Sequence, residues 1–294
     1  MPVWQAILLG VVQGLTEFLP VSSTAHLLIV QELLGRAREE VQADPFTVVI
    51  QLGTLFAVFA YFRRDVIALL RAAWDDFRHG RLLASGSPDG RTVRLIVVGT
   101  IPAGVAGLVL KKWLKATFYN PTAIAWVAVV FALLMAAAEW WAARRRRLGK
   151  PAREEGDVTY ADALFVGLFQ AMALMPGGSR SGTTITAALF AGLTRPAAAR
   201  FSFLLSLPIT LAAGLKDLAD WLKDVAQKPE FRAAAGDQAT AMLVGTLVSA
   251  IVGYLSIAWL MGYLRRYSML AFVGYRLIFA AAVLALIAAG VIRP

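Results

Sequence analysis

The chain has 294 residues, 59% of them apolar and only 16% charged, whereas ordinary globular domains hold roughly 45–50% apolar and about 25% charged residues. With a mean hydropathy of +0.65, this excludes a soluble domain and indicates an all-α polytopic membrane protein, in which the net charge of +10 reflects basic loops against anionic lipid rather than nucleic-acid binding. Cysteine is absent and there are two histidines, which removes disulfides, thiolate chemistry and a histidine-rich metal cage.

Along the chain, Met1-Pro2-Val3 lacks a basic n-region, so no cleaved leader is expected. Apolar pieces at residues 3–19 and 24–34 flank a break at Pro20-Val-Ser-Ser23. The second piece is too short to cross, so the pair reads as a re-entrant hairpin; irregular backbone at that depth survives only inside protein or along a wet cavity. A first span follows at 46–62, then a polar loop at 63–94 whose Asp75-Asp76 and Ser85–Gly90 read as solvated turns, with His79 on the surface. Spans at 93–110 and 122–143 lead to Arg144-Arg-Arg-Arg147, which reads as an inside anchor, with lipid-headgroup recognition as its second reading. A second re-entrant pair at 160–175 and 183–193 surrounds Pro176-Gly-Gly-Ser-Arg-Ser-Gly-Thr-Thr184, and three further spans lie at 200–215, 240–262 and 269–292.

The second half repeats the first. Gly10-Val-Val-Gln13 precedes Pro20-Val-Ser-Ser23 as Gly167-Leu-Phe-Gln170 precedes Pro176-Gly-Gly-Ser179, and Gly99-Thr100…Gly107 corresponds to Gly245-Thr246…Gly253. The chain is thus expected to be a single membrane domain, 1–294, built of two repeats, about 1–150 and 151–294. Each repeat has one re-entrant pair and three spans. Three is odd, so the repeats are inverted, with six spanning helices in all. The loops at 63–94, 144–153, 195–200 and 265–266 hold most of the Lys and Arg, which makes that face cytoplasmic and places the other loops, among them those with Arg36, Arg38, Lys111–Lys115 and Lys216–Arg232, outside.

Ionisable groups at bilayer depth are functional candidates by default. Here they are Glu17, His26, Arg180, Arg276 and Glu139. Gln13 and Glu17, four apart, share a helix face. Ser22, Ser23 and Thr24 open the outgoing half-helix, with His26 three residues beyond Ser23. In the second break Gly177 and Gly178 let backbone N–H groups turn toward a ligand, Ser179, Ser181 and Thr183 add hydroxyls, and Arg180 adds a planar cation suited to phosphate. Two half-helix N-termini, an arginine and several hydroxyls describe a phosphate or diphosphate cradle; no Walker-type lysine follows the glycines. Arg276 is read as structural, snorkelling or pairing with Glu139.

At these residues the sequence resembles the undecaprenyl-diphosphate phosphatase family, the bacitracin-resistance proteins. Gln13-Gly-Leu-Thr-Glu17-Phe-Leu-Pro-Val-Ser-Ser-Thr-Ala-His26 and Pro176-Gly-Gly-Ser-Arg-Ser-Gly-Thr-Thr184 carry the resemblance, and the hydropathy pattern extends it along the chain. Glutamate often stands in the family where this chain has Gln13. The resemblance implies hydrolysis of undecaprenyl diphosphate to undecaprenyl phosphate in the bacterial inner membrane, with the site open to the outer side. It implies assistance from a divalent cation, Mg2+ or Ca2+, and no organic cofactor, and it implies catalytic roles for Glu17, Ser23, His26 and Arg180. Ser23 looks like the nucleophile or orients water, Glu17 or His26 is the base, and Glu17 is the candidate metal ligand. The expected partners are the polyprenyl diphosphate, membrane lipids and a second copy in a homodimer. The alternative reading is a lipid flippase or anion transporter on the same inverted repeat.

Overall fold

The computed structural model describes residues 1–36, 46–81, 87–227 and 229–293. Arg38, the Ser85-Gly86 part of the expected turn and Lys228 lie outside the described residues. Eleven α-helices are described: α1 Val3–Phe18, α2 Ser23–Leu33, α3 Phe46–Tyr61, α4 Arg63–Arg78, α5 Pro88–Phe118, α6 Pro121–Arg147, α7 Tyr160–Met172, α8 Arg180–Phe190, α9 Arg195–Gln227, α10 Pro229–Leu264 and α11 Leu270–Ala288. No strand occurs among the described residues. Starts follow local chemistry: Pro88 and Pro121 occupy first-turn positions where a missing N–H costs nothing, capped by Ser87 accepting from the Gly90 N–H (3.0 Å) and Asn120 accepting from the Ala123 N–H (2.8 Å).

Five helices, α5, α6, α9, α10 and α11, are long and apolar enough to cross a membrane. The sixth expected span, α3, qualifies only together with α4, from which it is bent by 89°. Both short pairs, α1 with α2 and α7 with α8, appear where the breaks predicted them. Side chains such as Phe56, Leu108, Ile251 and Ile278 stand exposed on the outer surface, as a lipid-facing surface requires.

Two expectations need correction. Residues 63–94 are not a polar loop throughout, because α4 is amphipathic. Ile67, Leu70, Trp74 and Phe77 form an exposed apolar stripe at helical spacing, the pattern of a helix lying in the membrane interface. Asp76 is not in a solvated turn but buried, 3.8 Å from Arg94 and 3.9 Å from Arg81. The segments 111–115 and 216–227 are not loops either; they continue α5 and α9, since lysine and arginine are good helix formers and hydropathy marks where a helix leaves lipid, not where it stops.

The matched glycines are crossing points. A Cβ at Gly10 of α1 would lie 2.7 Å from the carbonyl oxygen of Gly245 in α10, and one at Gly167 of α7 would lie 2.4 Å from the carbonyl oxygen of Gly99 in α5. So each half's first re-entrant helix packs on the other half's middle span, and the two halves exchange partners in the same way. The loops of the more basic face are tied together by Arg91, donating to the carbonyls of Gly156 (3.0 Å) and Val158 (2.5 Å), and by Arg200, bridging Asp65 (2.7 Å) and Glu155 (2.8 Å).

Gly167→Ala is expected to lower stability in detergent by about 1–3 kcal/mol, because the neighbour it would meet is rigid backbone. Gly274→Ala, with nothing within 4 Å, should be neutral or slightly stabilising. Thermal unfolding of the two variants checks the difference; equal midpoints would remove the crossing-point assignment.

Candidate active site

The two breaks meet inside the helix bundle. Ser22 and Ser179 are the non-glycine residues with positive φ among those described, at 78° and 67°. Each is the cap immediately before an outgoing half-helix. A left-handed serine is strained and persists only where the surroundings over-determine it.

Arg276 of α11 supplies much of that constraint. It is 1% exposed, and its guanidinium donates to three backbone carbonyls: Pro20 in the first break (3.2 Å), Gly177 in the second (2.7 Å) and Ala128 of α6 (3.3 Å). It does not pair with Glu139, which instead takes a two-pronged contact from Arg195 (2.8 and 2.5 Å) and the N–H of Met269 (2.8 Å). With five donors in its fork, a guanidinium can satisfy three carbonyls at once.

Between the breaks lies a cavity of about 200 Å3, lined by Glu17, Ser22, Ser23, Thr24, Ser179 and Arg180, together with Gln51 and Gln170. Glu17 is its hub. One carboxylate oxygen accepts from the Ser23 hydroxyl (2.7 Å) and the Gln13 amide (3.0 Å), and the other pairs with the Arg180 guanidinium across the two halves. Arg180 is held from its other side by the Thr210 hydroxyl of α9 (2.6 Å), which in turn donates to the Ser206 carbonyl (2.7 Å). A hydroxyl within hydrogen-bond reach of a carboxylate, beside a fixed cation, can act as an activated nucleophile on a phosphoryl group.

The remaining candidate residues sit around this hub. Gln13 is buried behind Glu17 and does not line the cavity. Ser181 donates to the Leu19 carbonyl (3.3 Å) and Thr183 to that of Gly178 (3.0 Å), so both secure the loops. Gly177 carries φ 94°, and its N-terminal neighbour Pro176 reaches the cavity wall while Gly177 and Gly178 do not. His26 lies apart: Nδ1 donates to the Ser22 carbonyl at 2.7 Å, Nε2 is 2.7 Å from the Tyr275 hydroxyl, and the ring stacks on Phe279 at 4.3 Å.

Three site residues escaped the sequence reading: Gln51, Thr210 and Gln170. The first two are single polar residues in apolar helices and carry no pattern. Gln170 had a signal, since the repeat aligns it with Gln13. Both glutamines keep a buried side-chain oxygen without a hydrogen-bond partner, and Gln170 turns its amide N–H toward the Gly99 carbonyl (3.3 Å).

The chain has relatives among known proteins. The family model described as Bacitracin resistance protein BacA matches residues 6–282. The chain is similar to the undecaprenyl-diphosphatase of Anaeromyxobacter dehalogenans (strain 2CP-1 / ATCC BAA-258), 46% identical over 287 residues covering 98% of this chain and 92% of that protein. It is 43% identical to the undecaprenyl-diphosphatase of Chlorobaculum parvum over 298 residues and 40% identical to that of Chlorobium chlorochromatii over 300 residues, with 100% of both chains covered in each case.

Arg276→Met is expected to cost about 2–4 kcal/mol, since three buried carbonyls lose their donor. A cysteine at Thr183, a position only 1% exposed, should resist a thiol reagent in the otherwise unaltered chain and react readily once Arg276 is also replaced. Labelling followed by mass spectrometry reads this directly, and unchanged protection in the double variant would show that Arg276 does not hold the breaks.

Proposed function

This chain belongs to the bacitracin-resistance family, and from that membership and the cavity chemistry we infer that it is an undecaprenyl-diphosphate phosphatase. It hydrolyses undecaprenyl diphosphate to undecaprenyl phosphate and inorganic phosphate, recycling the carrier lipid of cell-wall synthesis. The observation that carries the mechanism is the Ser23 hydroxyl donating to Glu17 at 2.7 Å beside Arg180.

In this reading Arg180 turns part of its fork from Glu17 to the terminal phosphate, which frees the carboxylate oxygen it had occupied. Ser23 attacks the terminal phosphorus and its proton passes to Glu17. The anhydride P–O bond breaks, and the electron pair leaves with undecaprenyl phosphate. Glu17 hands that proton on to the departing undecaprenyl phosphate; water then cleaves the phosphoserine, its proton passing through Glu17 to the departing Ser23 oxygen, which restores the hydroxyl and the carboxylate as inorganic phosphate is released. The N–H groups opening α2 and α8, with Arg180, take up the charge of the transferring group. Glu17 rather than His26 is the base, because Glu17 touches Ser23; His26 is a positioning residue that fixes the Ser22 carbonyl and hence the first break.

Among the described residues no group of three His, Asp or Glu side chains could hold a metal ion. A cation carried by the substrate diphosphate would fit, with Glu17 on the cavity wall as its protein ligand, since Mg2+ is commonly held by one or two carboxylates plus phosphates. When bound it would neutralise phosphate charge. The same proposal places the protein in the bacterial inner membrane, as two inverted repeats with the more basic face cytoplasmic and the cavity opening outward; the Lys and Arg distribution supports it. It includes self-association as a homodimer, for which the apolar outer surface offers room.

Phosphate release from a C15 or C55 diphosphate by purified protein in detergent, with no gradient, is the test. Turnover is expected in the wild type. Glu17→Gln and Arg180→Ala should each lower kcat by ~10²–10³ or more. Arg180→Lys should recover little, as a point charge lacks the planar fork, and Gln13→Ala should be the mildest. Transport of lipid without phosphate release would favour a flippase, and more than half the activity in Arg180→Ala would overturn the cradle.

A further inference from the structure

The Arg144–Arg147 run takes no part in the chemistry above, yet it helps to wall a second cavity of about 440 Å3, larger than the active-site cavity. Arg145, Arg146 and Lys150 come from the end of α6 and its following turn, Arg265 from the end of α10, and the turn after α8 closes the far side. None of these four cations has a carboxylate partner among the described residues. A fifth, Arg195, is spent on Glu139. The single acid on the wall, Glu154, accepts the Thr194 hydroxyl at 3.2 Å.

Arg146, Lys150 and Arg265 are exposed and Arg145 is half-buried, so the four like charges face an open cavity and give it a positive potential that attracts an anion. Their placement is built in rather than incidental. Gly192 has φ 90°, and a Cβ there would fall 2.9 Å from the Cζ and Nη2 atoms of Arg145. Only glycine both adopts that turn and lets the guanidinium lie against it.

Depth is marked by tryptophans. Trp140 is exposed, with the Arg144 guanidinium 5.4 Å from its ring, and the Trp141 indole N–H donates to the Phe190 carbonyl at the end of α8 (3.1 Å). Paired indoles and cations of this kind sit at headgroup level. The cavity is also separate from the reaction: α8 starts at Arg180 and has 11 residues, so its far end lies about 16 Å from the catalytic break at 1.5 Å per residue.

We propose that this cavity is a second binding site, for a phosphate-bearing anion at the membrane interface, held by Arg145, Arg146, Lys150 and Arg265. Arginine forks and a lysine point charge are the usual partners of a phosphate monoester or diester. Two sources offer that chemistry, an anionic phospholipid headgroup and free phosphate.

Native mass spectrometry of the purified full-length protein tests the site and separates the sources. Phosphatidylglycerol, phosphatidylcholine and inorganic phosphate serve as separate probes. Arg145→Gln/Lys150→Gln/Arg265→Gln removes cavity charge; Arg144→Gln/Arg147→Gln/Arg266→Gln removes the same charge from the same surface outside the cavity. Wild type and the second variant should retain one anionic molecule, phosphatidylglycerol if the source is lipid or phosphate if it is free. The cavity variant should bind it at least about tenfold more weakly, since each basic side chain beside an anionic headgroup contributes roughly a factor of five. Phosphatidylcholine should not be retained. Phosphate release should be unchanged in the cavity variant, which reports that it folds. Equal weakening in both variants would assign the effect to general surface charge and overturn the site, as would retention of neither anion by the wild type.

Discussion

The site rests on one buried cation. Arg276 reaches from the last span to the carbonyls of Pro20 and Gly177, and so holds together two loops that are far apart in sequence. Carbonyls buried this deeply in the bundle would be costly if unpaired. A single guanidinium answers both breaks and a carbonyl of α6 at once. Once the breaks are so placed, Glu17 and Arg180, 163 residues apart, fall into contact. The Glu17–Arg180 pairing thus follows from a residue that touches neither of them.

The hydroxyls divide by the same constraint. In the second break Thr183 donates to the Gly178 carbonyl, Thr184 to that of Arg180 (2.8 Å) and Thr186 to that of Gly182 (2.6 Å). A membrane-buried turn needs such internal donors and acceptors, because the solvent offers none. Ser22, Ser23, Thr24 and Ser179 are left facing the cavity. A Ser/Thr-rich motif in a membrane protein is therefore partly scaffold, and the catalytic share is smaller than its composition suggests.

Much of this was legible in the sequence, and the parts that were not share a cause. Apolar length and Pro/Gly breaks marked the spans and hairpins, because lipid imposes a length on every crossing. The matched glycines marked the repeat, and in the structure they lie where α1 crosses α10 and α5 crosses α7. Hydropathy is blind to periodicity within a polar stretch, so α4 read as a loop. It is equally blind to partners: Arg276 reads as structural, snorkelling or pairing with Glu139, whereas the acid is taken by Arg195, which stands in an apparently solvated turn of the sequence. Gln51 and Thr210 join the site only because their helices pack there, and a lone polar residue in an apolar helix does not announce its direction. His26 had the right spacing along the helix, yet its ring turns to Tyr275 and Phe279 on α11.

The two breaks are alike in backbone and unlike in chemistry. Ser22 and Ser179 occupy the same cap position with the same left-handed backbone, and the next residue opens the outgoing helix in each: Ser23 in α2 and Arg180 in α8. The hydroxyl that donates to Glu17 and the cation that pairs with it thus stand at equivalent positions of the two halves. Identical breaks would have given Glu17 either two serines and no cation or two arginines and no hydroxyl. A buried arginine also needs an acid or a ring of acceptors nearby, and Glu17, with Thr210, meets that need while remaining in contact with Ser23. The equivalent cap positions are thus followed by a hydroxyl in one break and a cation in the other, and Glu17 holds both.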